Sequence, residues 1–99
     1  MIVHFHPDAE LEFKKAIEYY ELQEKQLGIR FSEEVKRTLD RIRINPVAWT
    51  SVSNNLRRAL TDRFPYGILY NYNEADQIIN VVAVMHLHKE PGYWRDRVK

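Results

Sequence analysis

The sequence predicts an α+β fold: an N-terminal strand, an antiparallel helical hairpin, a three-stranded antiparallel meander and a short C-terminal helix, in a single domain over residues 1–99. Two observations carry this. Apolar residues recur with a helical period from Phe13 to Ile42, and beyond residue 55 the period becomes that of extended chain. Turn-forming clusters at 64–67 and 73–76 then cut the extended part into three runs close enough to pair as neighbours.

Each element has a local reason. Val3 and Phe5 alternate with His4 and His6, a short strand signal. Pro7 suits the first turn of a helix, and Asp8, Glu10 and Glu12 suit its positive end. Phe13, Ala16, Ile17, Tyr20 and Leu27 form one stripe, with Gly28 as its expected stop. A second stripe of Phe31, Val35, Leu39 and Ile42 runs until Pro46 forbids continuation. Residues 46–55 read as a loop anchored by Trp49. Strands are expected over 56–64, 66–72 and 78–87, the last apolar on both faces and therefore interior. Pro91 opens the final helix, with Tyr93, Trp94 and Arg97. The helices cover one sheet face, which leaves the other open.

Composition narrows the function classes. The 99 residues are 44% apolar and 29% charged, with three glycines, enough for one small core and unlike a disordered chain. No apolar run is long enough for a membrane helix and no leader pattern opens the chain, so a cytoplasmic protein without membrane contact is expected. The absence of cysteine removes disulfides, thiol nucleophiles and thiolate metal sites. Six Lys/Arg stand against nine Asp/Glu in residues 1–40, and nine against five in 41–99, so basic groups collect in the C-terminal half. No phosphate-binding glycine loop, dinucleotide fingerprint or hydrolase elbow is present. Carboxylates on the first helix such as Glu10 and Glu21 read as a solvated face.

The chemistry-bearing candidates lie at one end of the sheet. Leu56, Leu60 and Phe64 are expected to face the core, placing Arg57, Ala59, Thr61 and Arg63 on the opposite, open face. His86 and His88 end the interior strand, so Arg57, Arg63 and both histidines are expected to converge on one anion-sized spot, with the phenol of Tyr93 nearby. The pairs His4/His6 and His86/His88 would hold a metal only if their strands brought all four imidazoles together; ordinary polar histidines are the expected reading, with no metal and no cofactor.

Several segments resemble the RelE/ParE superfamily of toxins from bacterial type II toxin–antitoxin pairs. They are Leu56-Arg57-Arg58-Ala59-Leu60, Arg63-Phe64-Pro65-Tyr66, Ile68-Leu69-Tyr70, Val81 to His88, and Pro91-Gly92-Tyr93-Trp94, together with His6 to Glu10 and Ile17 to Tyr20. The resemblance implies a growth-inhibiting, plasmid-stabilising toxin neutralised by a cognate antitoxin that wraps a disordered tail around it. One branch poisons DNA gyrase; the other cleaves messenger RNA in the ribosomal A site with basic side chains and a C-terminal tyrosine. Arg57, Arg58, Arg63, His86 and Tyr93 match the catalytic positions of the nuclease branch. Two departures weaken that branch: Asn71 stands where many relatives carry arginine, and His86-Leu87-His88-Lys89 stands where many read His-x-Arg-Arg. No cluster of lysines and arginines dense enough for ribosomal RNA is evident, so a ParE-like gyrase inhibitor is favoured over a RelE-like ribonuclease, with a non-toxic antitoxin-binding module as a third reading.

Overall fold

The computed structural model describes residues 1–98. Strand β1 (Ile2–Phe5) leads into α1 (Pro7–Gln23) and α2 (Leu27–Ile44). Four strands follow: β2 (Thr50–Ser53), β3 (Leu56–Leu60), β4 (Tyr66–Asn73) and β5 (Ile78–His86). A 3-10 turn over Arg95–Val98 completes the order. The sheet order is β1-β5-β4-β3-β2, with β1 parallel to β5 and every other pair antiparallel. The interior strand was the one expected: β5 lies between β1 and β4. No helix among the described residues is long and apolar enough to cross a membrane.

The two helices pack on one sheet face. Phe31, Val35 and Ile42 of α2 are fully buried against Ile68, Tyr70, Ile79 and Val81. Rings of Tyr20, Phe31, Phe64 and Tyr66 pack together with centroids 4.8 to 6.1 Å apart, edge to face except for the tilted pair Tyr20–Phe31, and seal the end of this core. The joint between the helices lies at residues 24–26 rather than at Gly28. Gln26 takes the left-handed turn conformation at φ 73°, and the Glu21 carboxylate accepts the amides of Gln26 and Gly28. Glu21 is thus a cap and not merely a solvated acid. Gly28 sits inside α2 because a Cβ there would come within 2.6 Å of the Ile17 carbonyl.

Three further expectations are corrected. Residues 50–53 are a strand, not loop: the Asn54-Asn55 turn, with Asn55 at φ 62°, folds β2 back on β3. All four β2 residues are exposed, so no apolar alternation announces them. The facing of β3 is the reverse of that expected. Ala59 and Thr61 are buried with the helices' side, while Leu56 joins a second core on the far face and Leu60 is exposed. Finally, the far face is not open. Trp94 packs over Leu56, Leu69, Val82 and Met85. The short C-terminal helix that was expected is the 3-10 turn over Arg95–Val98, preceded by a turn at 91–94.

Candidate functional site

A bulge in β5 sets the site. Tyr70 pairs with Val81 and Leu69 with Ala83, so Val82 is an extra residue. The insertion shifts the alternation, and Val84 enters the same core as Ile79 and Val81. His86 follows Val84 onto the face covered by α1.

The bulge also leaves backbone groups to satisfy. The Val81 carbonyl accepts the His6 amide at 2.8 Å, and β1 ends at Phe5. Beyond that point Glu12 and Arg97 take the place of a neighbouring strand. The Val84 amide donates to Glu12 Oε1 at 3.1 Å, and Arg97 Nη1 donates to the Val82 carbonyl at 3.1 Å. The two side chains also bond to each other, at 2.8 Å from Nη1 and 3.2 Å from Nη2. The Tyr93 hydroxyl donates to Glu12 Oε2 at 2.6 Å. Its ring lies 5.1 Å from both Lys89 Nζ and the Arg97 guanidinium carbon. Burial, and then the bond to Glu12, raises the Tyr93 hydroxyl well above the usual phenol range. Burial alone would lower Arg97, but Glu12 outweighs it and holds the guanidinium charged.

Beside this hub is an open pocket of about 230 Å³, lined among others by Lys15, Tyr19, Tyr66, His86, Lys89 and Tyr93. His86 packs edge-on against Tyr66 and His88, at 5.2 and 5.1 Å. The His88 amide donates to His86 Nδ1, which leaves Nε2 as the ring nitrogen able to meet a ligand. Two ammonium groups, an imidazole and two further phenols can hold an acidic or hydrogen-bond-accepting group there. Tyr93 is not a free proton carrier, because its proton is committed to Glu12.

Of the five candidate residues, His86 and Tyr93 meet in this pocket and the arginines do not. Arg57 pairs in register with Tyr70, four residues along β4 from Tyr66 and thus about 13 Å away at strand rise. Its Nη1 donates to the Trp49 carbonyl at 2.7 Å. Arg58 lies on the far face with Leu69, Met85 and Trp94. Arg63, at φ 68°, borders a cavity with Arg30 and Arg37 of α2. The expected convergence of Arg57, Arg63, His86 and His88 is therefore not formed; the reversed facing of β3 and the left-handed turn at Arg63 direct the arginines elsewhere. The histidine pairs are also apart: His4 pairs with Asn80, six residues and about 20 Å from His86 along β5. The sequence reading missed Glu12 and Lys15. The available signal was Glu12's place on α1, three residues from Ala9 and four from Ala16, both buried.

A strand, a helical hairpin and an antiparallel meander, closed by a C-terminal segment bonded back to the first helix, make up the α+β arrangement that carries this pocket. The family model for the ParE toxin of the type II toxin–antitoxin system parDE matches residues 3–91. The chain belongs to that family, and membership implies a cognate antitoxin. Among curated proteins none matches the chain.

Proposed function

We propose that this toxin inhibits DNA gyrase in the cytoplasm by binding it, and that the cognate antitoxin neutralises it. The observation that supports binding over cleavage is the bond from Tyr93 to Glu12. A ribonuclease attacking through the ribose 2′-OH needs proton carriers and guanidinium groups gathered around one phosphate. Here the tyrosine proton is held by a carboxylate. Arg57, Arg58 and Arg63 occupy three separate environments, and the pocket of His86 is lined by lysines and tyrosines but by no arginine. A gyrase inhibitor needs a surface and no catalytic set. The growth inhibition and plasmid stabilisation expected of such a toxin follow from this reading.

The test is induction of the chain without its antitoxin. Covalent gyrase–DNA breaks should accumulate while bulk messenger RNA stays intact. Rapid codon-dependent transcript cleavage would replace this reading with the ribonuclease one. Co-expression with the cognate antitoxin should yield a complex that survives purification and should restore growth.

A further inference from the structure

The far face of the sheet holds a cavity that the pocket around His86 does not share. Its volume is about 370 Å³, and Ser53, Arg58, Leu69, Met85, Trp94 and Arg95 are among its walls. No acidic side chain is among its lining residues. Both arginines are seated on glycine. A Cβ at Gly67 would lie 3.1 Å from Arg58 Cγ and Cδ, and one at Gly92, where φ is +80°, would lie 2.7 Å from the Arg95 guanidinium. The chain has only three glycines, and two of them make room for these side chains. Arg58 Nε is buried without a hydrogen-bond partner. An orphaned donor of this kind is uncommon in a folded protein, and a charged one is costly to leave unmet.

We propose that Arg58 and Arg95 form an anchor site for a partner protein's peptide segment that carries a carboxylate beside an apolar side chain. The carboxylate is shared between the Arg58 and Arg95 guanidinium groups that line the cavity. The apolar neighbour rests on Leu69 and Met85. Charge selects the occupant: two guanidinium groups and no lining acid favour an anion. The walls select a peptide over a nucleotide. Trp94 is only 9% exposed and offers no face for a base to stack on. A nucleic-acid strand also needs a track of cations, whereas Arg57 lies on the opposite sheet face and Arg63 beside α2. The inference rests on the reading that the toxin works through protein contacts.

The experiment titrates the full chain with acetylated, amidated Leu-Glu-Leu and with Leu-Gln-Leu, following arginine Nε–H and Trp94 indole resonances. The Glu peptide should shift Arg58 and Arg95 Nε–H and bind about tenfold or more tightly than the Gln peptide, the scale of one charge-assisted hydrogen bond. Arg58→Gln and Arg58→Lys should both lose this preference, the lysine because it keeps charge but lacks the planar guanidinium fork. Arg95→Gln, an exposed position, provides the same readout should the Arg58 variants not fold. Equal binding of the two peptides, or tighter binding of uridine 5′-monophosphate with the same resonances shifting, would overturn the proposal. Gyrase cleavage is assayed in parallel. Gyrase poisoning without peptide preference removes the anchor alone; peptide preference without poisoning keeps the anchor and removes gyrase as the target.

Discussion

Glu12, in the second turn of α1, and Arg97, eighty-five positions later, meet in a forked ion pair across the stretch of β5 that β1 does not reach. The pair joins three parts of the fold: the first helix, the bulged strand and the C-terminal turn. It holds Tyr93 in place as well, so the candidate pocket around His86 depends on it.

Removing one member should therefore cost more than an exposed ion pair would. The Arg97 and Glu12 side chains are only 13% and 21% exposed, and losing either strands the other's shielded charge and one backbone group. Glu12→Ala should destabilise the domain by about 3 kcal/mol, measured by urea unfolding. Glu12→Gln, whose single amide oxygen keeps one of the two acceptor positions used by Tyr93 and the Val84 amide, should lose less. Equal stability of Glu12→Ala and parent would show that the C-terminal turn is not held through this pair.

How much of this was legible in the sequence follows from which signals were redundant. The helical hairpin was readable because Phe31, Val35, Leu39 and Ile42 repeat one period over three turns and all end up buried. The interior position of β5 was readable from its unbroken apolar run. That same run concealed the bulge. Val81 to Met85 are all apolar and all buried, so an extra residue leaves no mark on the pattern, yet it decides which face His86 joins. β3 failed for the opposite reason: Leu56 and Leu60 imitate a core face while Ala59 is the residue under the helices. β2 carried no burial signal at all.

Glu34 predicts how stability responds to acid. It is only 3% exposed; burial alone would raise its carboxyl, but the Asp62 amide at 2.9 Å and the guanidinium groups of Arg37 and Arg41 outweigh burial and lower it. A lowered folded value means that the unfolded chain binds the proton more readily. The contribution is therefore complete above the ordinary Glu value of about 4.3 and is lost as pH falls through the folded value. Glu34→Gln should be less stable than the parent at pH 7, by roughly 1–2 kcal/mol, and the difference should shrink towards pH 3. A constant difference across that range would show that the charge of Glu34 is not what ties α2 to the loop at Asp62.

The neighbours Arg57 and Tyr70 predict the alkaline limb. They are ladder partners, and both reach into residues 46–49: Arg57 to the Trp49 carbonyl and the Tyr70 hydroxyl to the Pro46 carbonyl at 2.5 Å. Burial pushes the Tyr70 hydroxyl up to about 12, against the lowering by Arg57. Because the folded value is raised, its contribution is complete below the unfolded value of about 10 and is lost as pH rises towards 12. Tyr70→Phe should flatten the fall in melting temperature over that interval. Arg57→Ala should lower stability at every pH, by about 1 kcal/mol, as expected of a loop clamp. An Arg57→Ala variant that melts like the parent but loses activity would instead make Arg57 a contact residue.

Tyr93 separates the two toxin branches most sharply. If the protein works by binding gyrase, the phenol's role is to hold Glu12, and Tyr93→Phe removes one hydrogen bond while keeping the ring between Lys89 and Arg97. Stability should fall by about 1 kcal/mol, and growth arrest on induction should persist wherever the melt shows a folded variant. A catalytic tyrosine would behave in the opposite way: Tyr93→Phe would fold normally and abolish transcript cleavage. His86→Ala and His4→Ala complete the comparison. His86 lines the pocket, whereas the exposed His4 pairs with Asn80 at the other end of β5, so arrest should weaken for the first and stay unchanged for the second. Folded His86→Ala and Tyr93→Phe variants that arrest growth as the parent does, with the folded Arg58→Gln variant failing to arrest it, would move the working surface from the α1 side of the sheet to its far face.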